Sequence, residues 1–311
     1  MSRMQTDCRQ CGAGAALHLG GIPPGEHFAG QPMGQGWDAG SLYQCRHCAL
    51  GFRAPVRTEA EYEALYASAS DQVWVSPALR RDQCLVRDRV HGHGSGGRVL
   101  DVGCYDGSLL AALGPEWQKF GLEASVQAAK AASDRGVTIV ASRIRDLAGL
   151  EQRFDVITAV DVIEHVLDPR AFLAMLAERL LPGGLIVLST GNLTAPAWRW
   201  ASAAYWYCTI PEHLSFISPA WAEQAARVVG LGRPEVQRFS YRDLDPGERW
   251  RARLRFIKGA GAARLKLWLA GLMPGLLADR VKPYSFGYPG LFEDHMVISL
   301  RKPARAPGTA V

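Results

Sequence analysis

Short apolar runs alternate with polar stretches of helical periodicity through the middle of this chain. Residues 99–102, 119–122, 137–140, 154–160 and 185–189 are apolar runs of strand length, and 108–113, 125–135 and 169–181 between them carry apolar positions at helical spacing. Asp168-Pro169 supplies an N-cap and a first-turn proline for the last of these helices, and Pro182-Gly183-Gly184 marks its end. Strands alternating with helices predict a parallel sheet covered on both faces. Upstream, 59–66 and 78–90 read as helices, with Leu65 and Tyr66, then Leu79, Val86 and Val90, on their apolar faces; the glycine-rich 91–97 reads as a hinge in which His91 and His93 sit in a linker. Downstream, 219–229 reads as a helix, and 235–241 and 295–300 as two final antiparallel strands.

With 311 residues, 48% hydrophobic and 21% charged, the chain has room for one large core and a small extra module. The first ten residues hold no apolar run and no stretch reaches about 20 apolar residues, which predicts neither a signal peptide nor a membrane span. A cytoplasmic location is expected. Seven cysteines, three of them (Cys84, Cys104, Cys208) isolated, also suit a reducing compartment, where single cysteines act as small buried hydrophobes.

Candidate chemistry concentrates where the first strand ends, at Asp101-Val102-Gly103-Cys104-Tyr105-Asp106-Gly107. Gly103 and Gly107 allow positive φ and close approach of a ligand, and the following helix start offers unpaired N–H groups. About twenty residues beyond Gly103 the second strand ends in Glu123, where doubly wound folds place an acid on ribose hydroxyls. The Gly-x-Gly-x-x-Gly pattern of a pyrophosphate binder fails at Tyr105, and the carboxylate of Asp101 would repel a pyrophosphate. A ligand with a cationic amine and no phosphate fits, as S-adenosylmethionine does. Ligands in such sheets bind beyond the strand carboxyl ends, and Gly103, Glu123, Arg143, Asp161 and Thr190 all fall at that edge.

These motifs, followed by Phe154-Asp155-Val156-Ile157, Asp161-Val162-Ile163-Glu164-His165-Val166 and Leu181-Pro182-Gly183-Gly184, resemble the successive motifs of class I S-adenosylmethionine-dependent methyltransferases over residues 90–245 and again at 292–302. The resemblance implies a Rossmann-like seven-stranded α/β sheet, with S-adenosylmethionine held by Asp101, Gly103, Cys104, Tyr105, Gly107, Glu123, Ile144 and Asp161. Tyr105 departs from the glycine usual in the family. Arg143 stands where an aspartate commonly meets the adenine amine, and a guanidinium cannot accept that hydrogen bond; it either stacks there or faces solvent.

Two Cys-x-x-Cys knuckles, Cys8/Cys11 and Cys45/Cys48, flank a glycine- and proline-rich segment at 12–43 that reads as a loop or short hairpin. Four thiolates on two tight turns suit structural Zn²⁺. Zinc fits better than two disulfides or a redox pair, since the compartment is reducing and neither pair opens a helix in a βαβ unit. The module resembles the N-terminal zinc-binding module fused to bacterial sugar-modifying methyltransferases.

On the acceptor side, the resemblance gives Glu164 and His165 a role in fixing the loop after the fourth strand and orienting the methionine end. His213, in Pro211-Glu212-His213-Leu214-Ser215-Phe216, resembles the Glu-His-x-x-x-Phe segment of the sugar-modifying group. It is the candidate base, with Glu212 in support. Ile210 occupies the place of a tyrosine that C-methylation requires there, which favours O-methylation. Trp198, Trp200, Tyr205, Trp206 and Tyr207 crowd ten positions and suit either a ring-shaped acceptor or a packed lid.

Residues 248–282 are basic and amphipathic, with nine Lys or Arg against Glu248 and Asp279. Trp250, Leu254, Ile257, Gly261, Leu265 and Leu269 recur at helical spacing. That face suits an anionic membrane, an acidic partner or RNA, or packs on the protein with its basic side solvated. The expected organisation is a zinc-binding module at 1–55, a helical segment and hinge at 56–97, the cofactor-binding core at 98–245, a basic helical insert at 246–290, a final strand at 291–303 and a tail at 304–311. The expected activity is O-methylation of a sugar or glycan precursor, with peripheral contact at the inner membrane face through the insert. RNA methylation and a non-catalytic cofactor-binding scaffold are the rivals, RNA being disfavoured by a net charge of only +5.

Overall fold

A computed structural model of the chain describes residues 6–25, 27–32, 39–67, 78–242, 244–272 and 292–304. Positions 273–282 of the expected insert, 305–311 of the expected tail and parts of the 12–43 loop lie outside the described residues.

In chain order the N-terminal strands are β1 (Leu17–Gly21), β2 (His27–Phe28), β3 (Gln31–Pro32), β4 (Ser41–Gln44) and β5 (Gly51–Ala54). Helices α1 (Glu59–Ala67) and α2 (Arg81–His93) follow, then β6 (Gly97–Val102), α3 (Ser108–Ala111), β7 (Trp117–Leu122), α4 (Val126–Asp134) and β8 (Thr138–Ala141). Next come β9 (Phe154–Val160), α5 (Pro169–Arg179), β10 (Leu180–Gly191), α6 (Pro196–Ala201), α7 (Trp206–Thr209), β11 (Ser215–Phe216) and α8 (Pro219–Val228). The chain closes through β12 (Glu235–Phe239), α9 (Pro246–Leu272) and β13 (His295–Arg301).

These elements form two compact units, one of residues 1–70, 191–218 and 238–295, the other of 71–190, 219–237 and 296–311. The second is built on a seven-stranded sheet of order β12-β13-β10-β9-β6-β7-β8, in which β10/β9, β9/β6, β6/β7 and β7/β8 pair in parallel. Hydrogen bonds from Gly183 N to Lys302 O and from Asn192 N to Asp294 O at opposite ends make β13 antiparallel to β10. The central strands are buried on both faces, as continuous apolar runs require: Val156, Ile157, Ala159, Leu185, Ile186, Val187 and Leu188 all lie in the core. This is the Rossmann-like α/β sheet expected from the sequence. The chain winds outward from β6 through β7 to β8, then returns to β9 on the other side, so the topological switch point lies between β6 and β9.

Local signals explain most boundaries. Asp168 accepts hydrogen bonds from Arg170 N and Ala171 N, both at 3.0 Å, with Pro169 in the first turn. Two expectations are corrected. Helix α2 runs on through His91 and His93, which leaves only Gly94–Gly96 as a break, because a lone Gly92 is tolerated in an exposed helix. Pro182-Gly183-Gly184 does not end a helix; α5 stops at Arg179, and those residues form an irregular start to β10 between the pairs Leu180↔Phe154 and Leu185↔Val156.

The first unit carries a four-stranded sheet of order β1-β4-β5-β11, so residues from the expected zinc module share a sheet with Ser215 and Phe216 far along the chain. Its core gathers Leu42, Leu193, Trp198, Tyr205, Tyr207, Phe216 and Phe256.

Candidate functional site

In the second unit the predicted cofactor residues line the carboxyl ends of β6, β7 and β9. Gly103 has φ of +71° and a Cβ there would meet Val162 Cγ2 at 2.9 Å; Gly107 has φ of +76° and would meet Val137 and Ala132 at 3.0–3.1 Å. Both need glycine. Tyr105 and Asp161, neither a glycine, also sit at positive φ (48° and 52°), so local strain falls on the two loops flanking the switch point.

Glu123 ties this region together. Its Oε2 accepts from Tyr105 N and its Oε1 from Ser125 N, each at 2.8 Å, while Gly103 N and Cys104 N donate to Leu122 O. An ionised carboxylate has about four acceptor sites, which leaves capacity for a ribose diol. Asp101 is buried and accepts from Thr158 Oγ1 at 2.6 Å; burial, opposed by this bond and reinforced by the Glu123 charge, pushes its carboxyl up to about 7. Burial, with Asp101 and Glu123 nearby, likewise raises the Cys104 thiol far above its ordinary range, so it packs as a hydrophobe. A buried acid under the glycine turn and an acid after β7 fit a cationic nucleoside such as S-adenosylmethionine.

Asp161 pairs with Arg80 at 2.6 Å, and Arg80 also reaches the buried Asp82 at 2.8 Å. Ile144 is half-buried, opening a short turn where Asp146 accepts from Arg143 N at 3.1 Å; the Arg143 side chain is exposed. Glu164 is fully buried and accepts from Thr190 Oγ1 at 3.0 Å, with half-buried His165 beside it.

The first unit holds the other candidates. Cys8 and Cys48 sulfurs lie 3.6 Å apart, Cys11 and Cys45 sulfurs 3.7 Å, and all four ligand atoms fall within 4.8 Å of one another. A tetrahedron with metal–sulfur distances near 2.3 Å has edges of about 3.8 Å, whereas a disulfide needs about 2.05 Å. His47 N and Cys48 N point at Cys45 Sγ from 3.3 and 3.4 Å, as donors to a thiolate would. The chemistry of this donor set fits a closed tetrathiolate metal site.

His213 and Glu212 follow α7, both buried. His213 Nδ1 lies 2.9 Å from Tyr207 O and its ring is 4.0 Å from the Tyr207 ring. A carbonyl oxygen only accepts, so Nδ1 carries the proton and the neutral ring has its lone pair on Nε2. Glu212 accepts the backbone N–H of Ala29.

Sequence reasoning missed what holds this loop. The buried Arg53 donates to the carbonyls of Ala39, Cys208, Ile210 and His213 at 2.7–3.0 Å. Arg9, between two of the clustered cysteines, donates to Arg53 O, Leu214 O and Ser215 Oγ. A second buried pair, Asp294 with His295 at 3.1 Å, lies among Trp206, Tyr207, Phe239 and Tyr241, with Tyr205 donating to Asp294. The aromatic cluster is largely core: Trp198, Tyr205 and Tyr207 are buried, which favours packing over an open ring-binding platform.

A methyltransferase domain family matches residues 79–231. The chain is 32% identical over 164 residues to the ubiquinone biosynthesis O-methyltransferase of Thiobacillus denitrificans, covering 48% of this chain and 71% of that protein. It is 34% identical over 175 residues to the protein of the same name from Xanthomonas euvesicatoria, covering 52% and 71%. Among solved structures it is similar to phosphoethanolamine N-methyltransferase 2 of Haemonchus contortus in complex with S-adenosyl-L-methionine, at 16% identity and a TM-score of 0.49 over 81% of this chain and 62% of that one. The chain belongs to the S-adenosylmethionine-dependent methyltransferases. The names of these relatives come from quinone biosynthesis, and the expected sugar-modifying kinship draws no support from them.

Proposed function

We propose that the protein methylates a hydroxyl oxygen, with His213 as the general base. The observation that carries this reading is the His213 tautomer, whose Nδ1–H is committed to Tyr207 O and whose Nε2 can accept a proton. The acceptor oxygen attacks the sulfonium methyl as the methyl–sulfur bond breaks. The hydroxyl proton passes to the base, and S-adenosylhomocysteine leaves with the sulfur's electron pair. S-adenosylmethionine supplies a strong electrophile, so the protein's work is positioning. Asp101 balances the cationic end of the cofactor, Glu123 takes the ribose hydroxyls, and Gly103, Cys104, Tyr105, Gly107 and Ile144 offer backbone contacts. Asp161, braced by Arg80, shapes the loop after β9, and Glu164 and His165 orient the methionine end.

For the acceptor, the relatives' names favour a hydroxyl on a ubiquinone-type precursor over the sugar or glycan hydroxyl expected from sequence. The burial of Trp198, Tyr205 and Tyr207 weighs the same way, since it removes the aromatic faces a carbohydrate would stack on. The cysteine cluster holds Zn²⁺ in a structural role, supported by the sulfur spacing. Incubation with methyl-labelled cofactor against phenolic quinone precursors, nucleotide-linked sugars and RNA tests the assignment. An O-methylated phenol with wild type, and its loss with His213→Ala, is expected; label entering only sugar or only RNA would overturn the acceptor.

A further inference from the structure

Helix α9 turns an apolar line toward solvent. Trp250, Leu254, Ile257 and Leu265 are 61%, 47%, 47% and 56% exposed, and at about 100° per residue they share one narrow arc. Roughly opposite, Phe256 is buried in the core of its unit against Phe292. Packing within the unit therefore uses one side of the helix and leaves the apolar line open. Its flanks are basic, with Arg251, Arg255 and Lys258 exposed on one side and Arg249 and Arg253 on the other. From Arg249 to Leu272 the sequence contains no acid.

We propose that α9 lies in the interface of an anionic phospholipid bilayer, with Trp250, Leu254, Ile257 and Leu265 among the acyl chains and the flanking Arg and Lys at lipid phosphates. An apolar stripe bordered on both sides by cations is the pattern an interfacial helix needs. A second copy of α9 would bring two sets of like charges together, and RNA would leave the apolar line uncovered. No helix among the described residues is long and apolar enough to cross a membrane, so the contact is with the surface. This inference does not rest on the identity of the methyl acceptor.

The test is co-sedimentation of the full chain with phosphatidylcholine vesicles containing about 30 mol% phosphatidylglycerol, beside pure phosphatidylcholine, without cofactor. Binding should appear on the anionic vesicles and weaken with salt. It should fall about tenfold or more in both Leu254→Asp/Ile257→Asp and Arg251→Glu/Arg255→Glu/Lys258→Glu. Thermal unfolding and S-adenosylhomocysteine binding check that each variant is folded, since these residues lie outside the cofactor site. Failure of wild type to sediment would overturn the proposal. So would equal binding to neutral vesicles, or a self-associated form in sedimentation velocity that the Leu254→Asp/Ile257→Asp variant dissolves, which would mean that a second copy covers the face.

Discussion

Asp101→Asn should make the unliganded protein more stable at pH 8 and insensitive to a proton that wild type binds. The folded-state carboxyl of Asp101 lies at about 7 because burial disfavours its charge, whereas an unfolded aspartate titrates near 3.9. Between these values the native state holds a proton that the unfolded chain has lost, so stability falls as pH rises from about 4 to about 7 and is level above that. Three units at about 1.4 kcal/mol each set an upper limit of about 4 kcal/mol lost at pH 8. Asparagine has the shape of the protonated acid and no charge to bury, and it recovers part of this, about 2–4 kcal/mol. In a unit of this size that amounts to roughly 5–15 °C in Tm. Ligand binding moves the other way, since a cationic cofactor favours the ionised acid. Wild-type affinity for S-adenosylmethionine should tighten about tenfold from pH 6 to pH 8, and that of the variant should stay level. Calorimetric unfolding of both proteins from pH 5 to 8, with cofactor titrations at the two ends, reads these effects, and the difference between the curves removes titrations common to both. Parallel Tm curves for wild type and variant would refute the reasoning.

Arg53→Met should cost about 3 kcal/mol or more, because four carbonyls lose a buried charged donor at once; chemical denaturation showing a change under 1 kcal/mol would count against that role. His213→Ala should lower kcat about 10²–10⁴-fold while S-adenosylhomocysteine affinity barely moves, and steady-state kinetics beside calorimetry will show whether the two separate. Glu123→Ala should weaken S-adenosylmethionine by about 2 kcal/mol in titration calorimetry, since ribose contacts and the braces to Tyr105 N and Ser125 N are lost together. Elemental analysis should find one zinc per chain, absent from Cys45→Ser, with the β1-β4-β5-β11 sheet losing amide-exchange protection before the seven-stranded sheet does.

The sequence by itself determined the features written in local chemistry. Apolar runs such as 154–160 and 185–189 can only be doubly buried strands, and alternation with helices makes their sheet parallel. Gly103 and Gly107 announce their turn because no other residue takes those angles without strain, and the two Cys-x-x-Cys pairs announce a cluster because thiols at that spacing share a turn. Glu123 was legible for the same reason, as an acid at the end of a recognisable strand.

Tertiary structure alone decided the rest. Arg53 serves Ala39, Cys208, Ile210 and His213 through backbone carbonyls, and every residue has a carbonyl, so no residue type marks the partners. The pairing of Ser215 and Phe216 with β5 joins segments some 160 positions apart through backbone bonds that any sequence could make. The pairing of Arg80 with Asp161 and the burial of His295 beside Asp294 likewise depend on which charges the fold removes from water together. Helix α9 shows both sides of the division: its amphipathic spacing is plain in the sequence, but only packing through Phe256 decides that the apolar line from Trp250 to Leu265 is the face left to solvent.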